Sequence, residues 1–480
     1  MSWLSAAGRS AAKMRLFPVP GVAALAMATL VMAAAPAAAG GPVLRHPPRN
    51  IDVSQMAGNH AEDAVAINPA DPRNVVAVSV ASSRQAGLFE GVTFDGGRTW
   101  HRTVIGTGGA LGEICCDEAL AWDHYGNLWL SYLINENRNA VIAVSTDGGL
   151  TFTRVKEIVA APPGGATQPD ADQPHIAVGA HSVWVSYASF ASVASLTGFI
   201  QASGAAVSGL GRYGAFSTPE TVPAPHGQND YGGVAVGPDG QVTVIFETDI
   251  ADRCCSDVYT AVDPDGFGPR GFGTLRLLGR SNVGGFFTIP AQPGQGAYTE
   301  PQLAQYDGPG RYHGRLYAVW SQTVPKNSDN LNTMFRYSSD NGKTWSRTVQ
   351  LSDAQTVNSE FLPALAVDQA TGNVVAGWYD CRNAQGQRGP GCNEPDTYAQ
   401  FWATYSTDGG TRFAPDFQVS QGTSNSADSG NVFDYGSLTH VAVQSGLFYP
   451  VWSDNSDSTG NNPNGTLKQL DLYTARIAIP

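Results

Sequence analysis

Four octapeptides, TFDGGRTW at 93–100, STDGGLTF at 145–152, SSDNGKTW at 338–345 and STDGGTRF at 406–413, follow one plan: a hydroxyl, an aspartate two residues on, glycine, and a closing aromatic ring. Glycine supplies the positive φ of a tight turn, and the aspartate can accept the amide and hydroxyl hydrogens around it. Each octapeptide is therefore expected to clamp a hairpin, and a repeated turn implies a repeated unit around it.

Seven segments begin with an alternating strand: DAVAINP from Asp63, DEALAWD from Asp117, QPHIAVG from Gln173, DYGGVAV from Asp230, EPQLAQY from Glu300, FLPALAV from Phe361 and YGSLTHVAV from Tyr435. A short turn and a second aromatic or β-branched strand follow each, as in NLWLSYL from Asn127 or RLYAVWS from Arg315. Period-two alternation bounded by turn residues indicates antiparallel strands, and helical periodicity is nearly absent. In the stronger repeats a third strand enters the octapeptide and a fourth leaves it. Four-stranded antiparallel units repeated radially make a β-propeller, so the expectation is an all-β, seven-bladed ring. The stretch RNIDVS from Arg49 is placed to complete the last blade.

Residues 1–40 carry Arg9, Lys13 and Arg15 with no acid, then an apolar run from Val22 to Ala34 and small residues up to Gly40. This reads as a secretory signal peptide, which leaves 41–480 as a single propeller domain. No later stretch is apolar for long enough to span a bilayer. Without the leader the formal charge moves from −13 to −16, which argues against nucleic acid as a partner and suits a glycan recognised locally. A monomer is expected.

Of the six cysteines, Cys115 and Cys116 are adjacent, as are Cys254 and Cys255. Neighbouring α-carbons lie about 3.8 Å apart, short of the roughly 4.4 Å of a relaxed disulfide, so cross-pairing between the two doublets is the easier reading. Cys381 and Cys392 would close their own loop, worth about 3 kcal/mol on a chain-entropy argument.

The octapeptides resemble the Asp boxes, or BNR repeats, of the sialidase superfamily, and the resemblance spans nearly the whole mature chain. It implies a sialidase-like propeller with the boxes between the third and fourth strands of a blade, opposite the ligand face. Asp95, Asp147, Asp340 and Asp408 are then structural. A six-bladed ring, usual in that superfamily, is the alternative to the seven blades counted. The resemblance also implies an arginine triad, a Tyr/Glu nucleophile pair and an Asp acid/base. No F/Y-R-I-P motif, which carries the family's first arginine, occurs in the chain.

In a propeller the starts of the inner strands and the ends of the second strands share the ligand face. The positions so placed include Asp63, Asp117, Glu118, Asp172, Asp230, Glu300, Glu360 and Asp434, with Arg84, Arg138, Arg253 and Arg382 from the second-strand ends. Tyr435 adjoins Asp434 and is the candidate nucleophile, activated by Glu360 or Glu300, with Asp117 as a further catalytic carboxyl. Arg84, Arg253 and Arg382, with Asp230, Glu300 and Asp434, are the candidate substrate-binding residues. The bland reading of the acids is that they satisfy backbone donors or pair with arginine. No cofactor is required, although the oxygen-rich loop DNSDSTGNN from Asp454 suits calcium as well as it suits a solvated turn. The function expected is a secreted, sialidase-like glycoside hydrolase acting on glycans, anionic ones included. A non-catalytic glycan-binding propeller is the alternative.

Overall fold

Period-two patterning becomes seven radial sheets in the computed structural model, which describes residues 46–480 apart from 82–86, 136–137, 163, 166–169, 192–197, 226–227, 249–255, 274, 284–286, 325–329, 353–357 and 384–396. The proposed leader thus lies outside the described residues, as do Arg84, Arg253, Cys254, Cys255 and Cys392. Among those described, no helix is long and apolar enough to cross a membrane. The unit Gly41–Pro480 forms one ring of seven blades, each an antiparallel sheet with its first strand innermost. Inner strands run from His60–Ile67 in blade 1 to Val441–Gln444 in blade 7. Blade 3 departs from four strands, because two short segments, Arg212–Tyr213 and Glu220–Thr221, both pair with its third strand.

The ring closes as the sequence suggests: Asn50–Asp52 pairs antiparallel with Asp471–Ala475, as the outer strand of blade 7. Burial is densest between blades. Trp129, Trp320, Trp378 and Trp452 lie on second strands and are among the largest fully buried side chains. Three of these indoles donate to a side chain two residues on, which the strand period puts on the same face: Trp320 to Gln322 (3.2 Å), Trp378 to Asp380 (3.0 Å) and Trp452 to Asp454 (3.1 Å). The rings pack while their single polar atom stays paired.

The four aspartates of the octapeptides sit between third and fourth strands. In the second copy Asp147 accepts the Ser145 hydroxyl (2.7 Å), the Thr151 hydroxyl (2.6 Å) and the Thr151 amide (3.0 Å). Asp340 repeats this with Ser338 and Thr344, and Asp95 with Thr93 and Thr99. Asp408, whose motif ends in TRF, takes the Arg412 amide and guanidinium instead. The turn also fixes the neighbouring blade: a Cβ on Gly149, at φ +96, would meet Val76 of blade 1 at 2.4 Å. Asp147→Ala is expected to cost about 1–2 kcal/mol, seen as a lower urea midpoint, with glycan affinity unchanged.

Inner strands share a second device. Six of them shift register or begin pairing just after a non-glycine residue of positive φ: Glu62 (60°), Asp117 (58°), Gln173 (48°), Tyr231 (51°), Glu300 (48°) and Leu362 (51°). Each lies three residues before the central aliphatic of its strand, so one strained bulge recurs around the axis. Carboxyls of one blade satisfy the bulge amide of the next. Glu62 accepts the Asp117 amide, Asp117 the Gln173 amide (3.2 Å), and Glu300 the Leu362 amide (3.0 Å). That is a structural reason for acids at the starts of inner strands.

The cysteine expectation needs correction. Cys115 is bonded to Cys116, not cross-paired with the second doublet. In a regular strand adjacent side chains point to opposite faces, but the register breaks on both sides of Cys116 and the two sulfurs meet. Cys381 is disulfide-bonded as well.

Candidate active site

The axial face is not open all round. A hairpin of Phe287–Ile289 and Gln292–Ala297, inserted between blades 4 and 5, is bonded to the loop that precedes the inner strand of blade 7. Asp434 accepts the amides of Gly294 (2.7 Å) and Gln295 (2.9 Å), Gln292 receives the Tyr435 amide (3.0 Å), and Ser426 donates to the Ala291 carbonyl (2.8 Å). The pair bridges the ends of blades 5 and 6, and a cavity of about 750 Å3 is left over blades 1 to 4.

This cover decides where the expected site residues lie. Tyr435 is buried, its ring 4.5 Å from that of Tyr379 and 6.0 Å from Phe361, and its hydroxyl accepts the Ser426 amide. Glu360 is buried and accepts the Thr333 amide (2.9 Å), while Glu300 accepts the amides of Tyr298 and Leu362. None of the three lines the cavity. Asp434 belongs to the hairpin clasp. Arg382 is held beneath the blade-6 loops by Asp380 (2.6 Å) and Asp416 (2.7 Å), its guanidinium 3.9 Å over the Trp402 ring. Of the expected set, Asp117 and Asp230 face the cavity.

Asp172 and Arg138, placed on the ligand face from the sequence without a role, join them there, with four residues the sequence did not single out: Glu62, Tyr231, Glu247 and Tyr298. Asp117 is hydrogen-bonded to Asp172, and burial, with Asp172 and Glu62 adding like charge, holds its carboxyl well above the usual carboxylate range. Burial raises Glu62 too. Burial thus favours the protonated form of Asp117, which is placed to hold a hydrogen in this corner of the cavity. Arg138 closes the corner through Asp170 (2.7 Å) and Asp172 (3.7 Å).

In the same lining the rings of Tyr231 and Tyr298 lie 4.9 Å apart, their hydroxyls kept protonated by burial with Asp230, Glu247 and Glu300 nearby. Glu247 accepts the Thr299 amide (3.0 Å) beside Tyr298. The Cys115–Cys116 pair, Phe190 and the half-exposed Phe433 supply apolar wall. Deeper on the axis His175 and His440 lie 6.0 Å apart, with burial pushing them down to about 3 and about 4, so both are neutral. Among the described residues no cluster of His, Cys, Asp and Glu is arranged to hold a metal ion. In the DNSDSTGNN loop the Asp454 carboxylate is taken by Trp452 and the Ser456 amide, and Asp457 receives the Asn462 amide. One sequence signal pointed to Tyr231: DYGG at 230–233 duplicates the DYGS of 434–437 that drew attention to Tyr435.

Among known families, the BNR/Asp-box repeat matches residues 336–347, which hold the third octapeptide. No curated protein matches the chain in sequence. Solved structures of similar architecture include the Hadza microbial sialidase Hz136, 15% identical, covering 82% of this chain and 74% of that one with a TM-score of 0.45. The endosialidase of phage phi92 is 12% identical over 91% of this chain and 70% of its own, at a TM-score of 0.48. The α-L-arabinofuranosidase Arb93A of Fusarium graminearum, in complex with an iminosugar inhibitor, is 10% identical over 69% and 90%, at 0.44. At these identities the likeness is one of fold.

Proposed function

We propose that the chain is a secreted, monomeric, sialidase-like glycoside hydrolase whose substrate enters the axial cavity over blades 1 to 4. The observation that carries this reading is that one cavity is lined both by Asp117, raised by burial and bonded to Asp172, and by a tyrosine pair with Glu247. Asp117 is the general acid: its raised carboxyl donates to the leaving glycosidic oxygen, and Asp172 and Glu62 keep the proton in place. Tyr298 is the nucleophile of the resemblance, with Glu247 taking its phenolic proton. An anionic sugar would be met by Arg138, together with Arg84 and Arg253, which lie outside the described residues. No cofactor enters these steps.

A panel of sialylated, arabinosylated and neutral oligosaccharides, assayed for released sugar, tests the reading. Asp117→Asn is expected to lower release about 100-fold or more while ligand affinity is kept, because asparagine still accepts the Gln173 amide. Tyr298→Phe is expected to do the same. One observation favours a second reading: Asp117 and Glu62 already serve neighbouring amides as structural acceptors. If glycans bind the wild-type protein and all return intact, the cavity is a binding site without turnover.

A further inference from the structure

A second groove, of about 800 Å3, runs along the seam where the ring closes. The closing strand Asn50–Asp52 and Arg476 form one wall, and the blade-1 turn Gly96–Trp100 with Arg102 forms the other. It shares no lining residue with the axial cavity.

Four arginines line it: Arg49, Arg98, Arg102 and Arg476. That concentration stands out in a chain of net charge −13: some arginines elsewhere are matched, Arg73 to Asp71, Arg138 to Asp170, Arg270 to Asp265 and Arg412 to Asp408, and others such as Arg276 and Arg347 form no ion pair among the described residues but line no shared groove with three more. Among the described residues, none of the four groove arginines is in an ion pair with a carboxylate. The one acid in the lining, Asp52, is buried: one oxygen accepts the Gln55 amide and the Ser54 hydroxyl, the other has no hydrogen-bond partner among the described residues, and of the four arginines it is Arg102 that feels its charge. Asp95, next to Arg98, is consumed inside its own turn by Thr93, Thr99 and two amides.

The guanidiniums are only lightly used. Arg102 donates to the carbonyls of Val53 (2.7 Å) and Trp100 (3.4 Å), which fixes its direction, Arg98 donates to the Asp95 carbonyl (3.4 Å), and Arg476 is hydrogen-bonded to the Tyr449 hydroxyl. Each carries five N–H donors, so most remain for a ligand. Thr99, Ser458, Thr459 and Asn461 add hydroxyl and amide groups along the walls, and Trp100 an aromatic surface. Planar forks that pair two donors with two oxygens suit sulfate and carboxylate, while hydroxyls and an indole suit the sugar between them.

We propose that the seam groove binds a polyanionic glycan, a chain bearing sulfate or carboxylate groups along a sugar backbone, independently of the axial cavity. A nucleic acid offers phosphates at every step, and the strongly acidic remainder of the protein repels it, whereas a short glycan segment engages the seam alone. The groove would hold a polymer to the protein whether or not the cavity cleaves it.

The test titrates the full chain with a heparin oligosaccharide of defined length, its desulfated form and a DNA duplex of matched charge. The sulfated oligosaccharide is expected to bind, more weakly as salt rises, and the other two to bind at least ~10-fold less well. Arg98→Glu with Arg476→Glu, both exposed, is expected to weaken binding ~10-fold or more with an unchanged melting curve. Arg276→Ala with Arg347→Ala, exposed arginines elsewhere, should leave it alone. No binding at low salt, equal affinity after the charge reversal, or equal affinity for DNA would each overturn the assignment.

Discussion

The protein should lose at least ~3 kcal/mol of stability between pH 6.5 and pH 9. Burial raises Glu62, Asp63, Asp117 and Glu118, and pushes Glu90, Glu360 and Asp471 up to about 8 and Asp307 up to about 7. Each binds its proton more tightly folded than unfolded. The folded state therefore holds more protons above the ordinary carboxylate range, and stability falls as pH rises through the folded values. Two groups of residues oppose this at lower pH. His60, His175 and His440, pushed down to about 4, 3 and 4 by burial, lose stability below their unfolded value near 6.5. Asp147, Asp340 and Asp408, lowered by their turn hydrogen bonds, lose theirs only under acid conditions. Because the eight raised carboxyls outnumber the three lowered histidines, the net result is stability that keeps rising as pH falls towards about 4 to 5, with a steep alkaline decline. Urea midpoints across pH 4 to 9 would show it, and a flat or rising profile above pH 6.5 would mean these carboxyls find solvent or counter-ions in solution.

The same burial explains what sequence could and could not convey. The octapeptides were readable because every bond of the Asp147 clamp falls within seven residues, Ser145 to Thr151. The closing strand was readable from its alternation and from the missing fourth strand of blade 7. Tyr231 and Tyr435 were not separable, since both follow aspartate and precede glycine. What distinguishes them is a clasp between residues 140 positions apart, Asp434 and Gly294, which buries one tyrosine under the blade-7 loop and leaves the other on the cavity. The Cys115–Cys116 bond was equally hidden, because it depends on two register breaks that only the pairing with Leu128–Ile134 creates. Local chemistry survives translation into sequence patterns, while cover and register are long-range and do not.

Arg382 illustrates the difference and supplies the larger mutational effect. Its position after a second strand, inside a cysteine-bounded loop, made it a candidate for binding an anionic substrate. Yet the guanidinium is about nine-tenths buried, forks onto Asp380 and Asp416, donates to Ser352 and stacks on Trp402, with Glu360 close enough to feel its charge. Arg382→Ala would leave these carboxyls in a low-dielectric interior without their cation, and is expected to cost ~3–5 kcal/mol at neutral pH. The loss should shrink towards pH 5, where Asp380, already raised by burial, takes up a proton in place of the missing charge. Arg382→Lys should recover only part of the loss, because a single ammonium cannot serve two carboxylates and a ring face at once. Denaturation midpoints of the three proteins at pH 5 and 7.5, beside glycan affinity, decide the matter. Normal stability with lost affinity would return Arg382 to the ligand, whereas lost stability with affinity kept wherever the variant is folded identifies it as the cation that makes the acidic blade-6 edge foldable.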